Sequence, residues 1–405
     1  VLPVNAEPTS AGEVVRAILE EARATSPADV DVAFGAYVWN EALLQGVLPL
    51  LRARGFAGRI VLGGPQISYA GRGLEGIYPQ ADVFVRGYGE AALCALARDP
   101  SNLAIPGVHH AGGEDRCAQA EVRLDDLPSP WLDGLVPARG QPFLRWETKR
   151  GCPFRCSFCQ HREPGARLRR RSLSATRVTR EIDLFCEAGV REIAVLDPIF
   201  NQGAEATAVL ERFVNRGYRG RLSLQCRAEL VDEPFLDAAE QLDVCLEFGL
   251  QTIHQSEGDA VLRRNQVARV DAVLAEVGRR RIDHEVSLIF GLPEQTLASF
   301  KESVEFCLAR RVPRIKAFPL LLLRGTALDD ERDRWGFVDA GGAMPMAVES
   351  RSFSRADWEI MARISEALRR TEGAHPGTMS ELLDRAADSR VDIARWQPQA
   401  EGTGA

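Results

Sequence analysis

Between residue 11 and about residue 320, stretches with the apolar period of an amphipathic helix alternate with short β-branched runs. This alternation constrains the fold more than any other feature of the chain. Strands separated by helices pair most simply in parallel, through crossover connections. The first part of the chain reads as a helix over 11–25, a strand over 30–38 and a helix over 41–54. It continues with strands over 58–62 and 82–86, the second followed by another helix. The pattern predicts a Rossmann-like, doubly wound parallel sheet with its ligand site at the carboxyl ends of the strands. Tyr37, Trp39 and Asn40 fall at the first of those ends, Gly63, Gly64 and Pro65 at the second, and Gly87, Tyr88, Gly89 and Glu90 at the third.

Residues 99–140 are rich in Pro, Gly and Asp and read as an interdomain linker. Beyond it, six strand patterns occur over 143–148, 192–197, 221–227, 243–249, 285–290 and 314–320, each followed by a helix or a long loop. Six such units predict a partial (β/α)6 barrel with its chemistry at the carboxyl ends. After about residue 330 the chain is helical or irregular, with helices expected over 355–370 and 378–396. The expected division is therefore 1–135, 136–330 and 331–405, the last being a mostly helical region that caps the open barrel over substrate. Trp335, Phe337, Met344, Met346, Phe353 and Trp358 belong to that region, and core packing explains them more simply than a pocket does.

Of the nine cysteines, Cys94, Cys117, Cys186, Cys226, Cys245 and Cys307 are scattered and read as small apolar residues. Cys152, Cys156 and Cys159 form a C-x3-C-x2-C loop directly after the first strand of the second sheet. Structural zinc sites close with four ligands, and His161 is the one nearby candidate for a fourth. Thiolates are also the usual ligands of iron–sulfur clusters. Three of them in a tight loop leave one iron of a 4Fe–4S cubane open. A reducing, cytoplasmic compartment suits unpaired thiols. The stretch 1–5 lacks a secretory signal and reads as a strand, and no apolar run is long enough to span a membrane.

This loop, placed after the first strand of a partial barrel, resembles the radical S-adenosylmethionine superfamily. The resemblance implies a 4Fe–4S cluster on Cys152, Cys156 and Cys159 with S-adenosylmethionine beside it. It also implies cofactor contacts from Phe158, Phe200, Gln225, Arg227, Glu229, Gln251 and Ile289. Residues 291–296, Gly-Leu-Pro-Glu-Gln-Thr, resemble the family's G-L-P-G-E-T stretch, with Glu294-Gln295 in place of Gly-Glu. With the Gly-rich strand ends ahead of it, the chain is similar to the cobalamin-dependent methyltransferase branch, which implies bound cobalamin. Asp-x-His-x-x-Gly is absent, and His109 and His110 fall in the linker, so cobalamin is expected without a His ligand.

The residues flanking the cysteines, 146–151 and 160–164, resemble the tryptophan 2-C-methylating enzymes of thiopeptide antibiotic biosynthesis. They imply L-tryptophan as the small-molecule substrate and a reducing system as partner; the substrate base is not identified. Cobalamin-dependent cyclisation or rearrangement is one alternative. RNA methylthiolation is another, but it needs a second Cys triad, and residues 1–140 hold only Cys94 and Cys117. The net charge of −7 gives no general attraction to nucleic acid or an anionic membrane. Gly71 to Gly76 spell G-x-G-x-x-G without joining a strand to a helix, so no dinucleotide site is expected there. The basic run 167–171 reads as a solvated loop.

Overall fold

The computed structural model describes residues 10–24, 30–161, 171–342 and 344–387. The strand expected over 1–5, residues 167–170 of the basic run and the end of the helix expected over 378–396 lie outside them.

The first sheet contains β1 (Val32–Gly35), β2 (Ile60–Gly63), β3 (Val83–Val85) and β4 (Val108–His110), in that spatial order. β1 to β3 are parallel and β4 is antiparallel to β3. Ile60, Leu62 and Phe84 face the helices Ala11–Ala24 and Glu41–Ala53, whereas Val61, Val83 and Val85 pack with Ala92 and Leu96 of the helix Gly89–Arg98. The sheet is thus covered on both sides, which is why its strands are apolar on both faces. Two expectations change. The described strands run in simple sequence and show no reversal of the kind that defines a doubly wound sheet. The stretch expected as a linker supplies β4, so His109 is a buried sheet residue whose ring nitrogen lies 2.7 Å from Glu75. β1 also ends earlier than expected. Asn40 accepts the Tyr37 N–H at 2.8 Å and donates to the Gly35 carbonyl at 2.9 Å, which folds 36–40 into a turn.

The second sheet begins with β5 (Phe143–Trp146). A two-residue antiparallel ladder, β6 (Lys149–Arg150) with β7 (Arg171–Ser172), brackets the cysteine loop. Then follow β8 (Glu192–Val195), β9 (Arg221–Cys226), β10 (Asp243–Gln251), β11 (Asp283–Phe290) and β12 (Arg314–Pro319). β5 and β8 to β12 form one six-stranded sheet, all parallel, in the order β12-β11-β10-β9-β8-β5. Leu222, Leu224, Leu246, Phe248, Val286, Leu288 and Ile315 point to the helix layer, where the main core lies. Their alternates point the other way and carry the polar groups.

The helix Ala175–Ala188 starts on Ser174, whose hydroxyl accepts the Arg177 N–H, and stops at Gly189 in the left-handed conformation. Its buried Glu181 is neutralised in place. Trp146 Nε1 (2.7 Å), Ser129 Oγ (2.6 Å) and Arg177 (3.0 Å) all donate to it.

After β12, a small hairpin pairs β13 (Val338–Asp339) with β14 (Ala347–Glu349), and the helices Arg355–Arg370 and Met379–Ala387 follow. The first of these helices packs on the outer, helix-layer side of β11 and β12 and does not close over the polar face. Trp358 lies 5.6 Å from the Phe290 ring, and Ser365 Oγ donates to the Ala317 carbonyl at 2.7 Å. Met346, Phe353 and Trp358 belong to the main core, with Phe337 and Met344 packed against it; Trp335 lies in a small apolar cluster at its edge. Of the scattered cysteines, Cys226, Cys245 and Cys307 are buried as expected, whereas Cys94 is exposed.

Because this helix completes the core, Trp358→Ala should cost about 3–5 kcal/mol of stability by leaving a large cavity. Thermal unfolding checks this: a marked drop in Tm is expected, whereas a mere lid residue would leave Tm unchanged.

Candidate functional site

Three strand ends are braced against one another where the cysteine loop departs. Asp197, with no exposed surface, accepts the N–H groups of Thr148 (2.7 Å) and Lys149 (2.9 Å) and also bonds the Thr148 hydroxyl. Asn201 accepts the Arg227 N–H at 2.9 Å and donates to the Arg227 carbonyl at 2.8 Å. Lys149 Nζ donates to the carbonyls of Phe200 (2.6 Å) and Gln202 (2.9 Å). The loop itself is pinned at its middle, where Ser157 N–H donates to Val261 O and Ser157 O accepts from Leu328 N–H, each at 3.0 Å.

A chamber of about 430 Å³ lies over the polar face of the six-stranded sheet. Cys152, Cys156 and Cys159 line one side of it, with Phe154, Phe158, Arg227 and Arg263. Gln225, Glu247, Gln251, Glu285 and Lys316 line the rest. Burial raises the pKa of the Cys152 thiol and pushes that of Cys159 up to about 11. Bare thiolates are therefore disfavoured here, and a bound cation would reverse that balance. Arg263 Nη1 lies 3.8 Å from Cys156 Sγ, and its Nε is buried without a hydrogen-bond partner among the described residues. Three thiols in one chamber wall, with the guanidinium groups of Arg227 and Arg263 beside them, are a donor set that suits an anionic iron–sulfur cluster.

A second chamber, of about 800 Å³, lies between the two sheets. Its N-terminal wall is made by the carboxyl ends of β1 to β3, including Tyr37, Gly63, Gly64, Pro65, Tyr69, Gly87, Tyr88, Gly89 and Glu90. Glu147, Lys149, Arg150, Gln160, His161 and Pro198 form the opposite wall. Gly64 has φ of +92°, and a Cβ there would stand 2.8 Å from the Ala36 carbonyl, so only glycine lets this edge stay flat. The size and the flat glycine edge fit a large planar cofactor. His161 and Pro198 line both chambers, so the two meet there.

Several expected contacts sit elsewhere. Phe200 is fully buried against Phe235 and works through its backbone. Glu229 lies 3.5 Å from Arg227 and lines neither chamber. Ile289 packs with Phe158 beside the apolar cluster of Val261 and Leu292. Trp39, 50% exposed, stacks on Tyr37 at 4.6 Å, while Asn40 holds the turn. Gln295 replaces no cofactor contact, because it is wholly buried and accepts the Gly291 N–H at 2.7 Å, stapling its own loop. Glu247 lies in the stretch 247–251 expected to touch the cofactor, whereas Arg263, Glu285 and Lys316 were not foreseen. The last two form a 2.6 Å ion pair, and burial together with the neighbouring Glu285 charge raises the pKa of Glu247. Period-two alternation along β10 to β12 was the available signal, since these polar residues interrupt apolar strands at facing positions.

Residues 146–307 match the sequence model of the Radical SAM superfamily, so the chain carries a radical SAM domain. Its curated relatives include a cobalamin-dependent radical SAM methyltransferase and, at 27% identity over 74% of this chain and 68% of its own length, the ribosomal protein uS12 methylthiotransferase RimO of Stenotrophomonas maltophilia. The cobalamin-dependent radical SAM methyltransferase TokK of Streptomyces tokunonensis is 27% identical over 67% of this chain and 44% of its own length. The 2-(S-pantetheinyl)-carbapenam-3-carboxylate methyltransferase of Streptantibioticus cattleyicolor is 32% identical over 46% of this chain and 30% of its own. The chain thus spans less than half the length of either of these two methyltransferases. Among solved structures, the radical S-adenosylmethionine methyltransferase TsrM of Kitasatospora setae, with cobalamin and a [4Fe-4S] cluster bound, superposes with a TM-score of 0.65. It shares 20% identity over 86% of this chain and 73% of that one, a likeness of fold.

In metal-free protein, Cys159 should be alkylated at pH 8 at about a thousandth of its fully ionised rate, because a thiol of pKa about 11 is then almost wholly protonated. Its rate should climb through pH 10–11, whereas in denatured protein it should already be fast near the ordinary thiol pKa. Mass spectrometry of the labelled peptide reads this directly.

Proposed function

We propose that this chain is a methyltransferase that takes a methyl group from S-adenosylmethionine and delivers it, by way of cobalamin, to a carbon of a small-molecule acceptor. The observation that carries this reading is the meeting of two chambers at His161 and Pro198, one walled by three cysteines and the other by glycine-edged strand ends. Cys152, Cys156 and Cys159 would hold a 4Fe–4S cluster with S-adenosylmethionine beside it, and the larger chamber would hold cobalamin. Bound there, cobalamin supplies a carrier for the methyl group, and the cluster supplies an anchor and electrons for S-adenosylmethionine.

The chain's own residues do the rest. Arg227 and Arg263 offset negative charge beside the thiolates, and the apolar surfaces of Phe154 and Phe158 keep water from them. Cobalamin would be held in the larger chamber without a His ligand, a reading that rests on the absence of Asp-x-His-x-x-Gly from the sequence. The boundaries at 135 and 330 serve as the working division into a cobalamin-binding domain, a partial barrel and a C-terminal region. Unpaired thiols of this kind favour a reducing, cytoplasmic compartment.

L-tryptophan, methylated at C2, is the substrate we favour. The residues that flank the cysteine loop support it, and TsrM, whose fold this chain shares, has been solved with tryptophan bound. An indole carbon is nucleophilic, so its methylation needs no substrate radical. A reducing system would be required in either case.

Reduced enzyme supplied with cobalamin, free L-tryptophan and methyl-labelled S-adenosylmethionine tests the reading. Labelled 2-methyltryptophan without 5′-deoxyadenosine is expected, and absence of any labelled product retires tryptophan. Near-stoichiometric zinc, with no iron or sulfide, would sink the cluster assignment. Separately, Gly64→Ala should weaken cobalamin retention while leaving iron content unchanged, since its Cβ would press on the Ala36 backbone and displace the turns after β1 and β2, which wall only the larger chamber. Loss of both together would count against two separate cofactor sites.

A further inference from the structure

The two strands that bracket the cysteine loop carry an unusual pairing. Arg150 of β6 and Arg171 of β7 stand directly opposite in the ladder. Like charges at such positions ordinarily destabilise a sheet. Here both guanidinium groups lie over the same ring, that of Tyr88, at 5.0 and 5.3 Å from its centroid. Arg150 also bonds both oxygens of Glu147 at 2.9 Å and pairs with Glu90 at 2.6 Å, while Arg171 lies 3.6 Å from Glu121. Tyr88 and Glu90 follow β3 of the N-terminal sheet, whereas Arg150 is separated from Cys152 by Gly151 alone.

We propose that Arg150 is a positioning residue, which clamps the stem of the cysteine loop to Tyr88 and Glu90 and so sets the cobalamin chamber in register with the cluster chamber. The proposal rests on the cofactor assignment above and deepens it by giving Glu90 a different part: a receptor for Arg150 at the chamber rim. The geometry makes the two partners unequal. Without Glu90, Arg150 still has Glu147 and the Tyr88 ring. Without Arg150, Glu90 and Glu147 lose their common partner, and only Arg171 is left over the Tyr88 ring.

The test uses the full-length protein carrying Arg150→Gln, Arg150→Lys, Glu90→Gln or the Arg150→Gln/Glu90→Gln pair. Hydrogen–deuterium exchange over 87–93 is followed without cobalamin, and the affinity for added hydroxocobalamin is measured by absorbance. Arg150→Gln should speed exchange over 87–93 and weaken hydroxocobalamin about tenfold, as expected for a half-buried pair with several partners. Glu90→Gln should weaken it only about threefold, because one exposed member of the network is lost. The double variant should be no weaker than Arg150→Gln alone, and Arg150→Lys should recover part of the loss, because it keeps the charge.

Exchange and affinity equal to wild type in both single variants would overturn the clamp, as would losses that multiply in the double variant. If Arg150→Gln loses iron as well, Glu90→Gln decides, since it lies in the other domain. If wild-type protein binds no cobalamin, the proposed function falls, while exchange in the cobalamin-free protein still decides the clamp.

Discussion

Asp197 is a carboxylate with no exposed surface, and the site depends on it. Removing such a group from water is costly, and burial raises its pKa. Bonds from the backbone of Thr148 and Lys149 and from the Thr148 hydroxyl oppose that cost. Their effect is to tie the segment leaving β5 to the end of β8, so the chain must leave the sheet at one fixed point. Lys149 and Asn201 extend the brace to the end of β9. A loop proposed to hold a cluster on three thiols needs this kind of origin.

From that origin the two chambers follow. Polar residues on the inner face of β9 to β12 bound one, and the turns after β1, β2 and β3 bound the other. Besides the contacts of Arg150, the domains meet at Arg324, which donates to Glu41 at 2.8 Å and to the Gln66 carbonyl at 3.1 Å. Gln160, next to Cys159, donates to the Arg324 carbonyl at 2.8 Å and accepts the Tyr69 hydroxyl on its own carbonyl. Two strand ends of the N-terminal sheet thus have an arginine from the second domain docked beside them, near the first helix turn after β1 at Glu41 and after β3 at Glu90. The space between is left for a ligand, not for side chains.

Much of this was legible beforehand. Every strand of the six-stranded sheet falls within a residue or two of its expected place, because buried parallel strands are apolar runs that turn signals delimit sharply. The strand ends Gly63-Gly64-Pro65 and Gly87-Tyr88-Gly89-Glu90 do line a chamber. What was not legible was contact-dependent. Phe200, in the turn after β8, and Phe158, in the cysteine loop, are both aromatic residues expected at the cofactor, yet one is core and the other lines the chamber. β4 hid in a stretch whose Pro and Gly content is that of a linker, since a three-residue edge strand needs only one partner to form.

The sequence by itself determined the strand–helix alternation, the parallel pairing that alternation requires, and the three cysteines with their spacing, because these are local patterns read along the chain. Only the tertiary structure decided that Arg263 stands beside Cys156, that Glu247 and Glu285 share a chamber with the cysteines, and that Arg150 reaches Glu90. Those pairs lie 107, 38 and 60 residues apart or more in the chain. Charges brought together across such distances interact only after the two sheets have folded and docked, and no local pattern records which will meet.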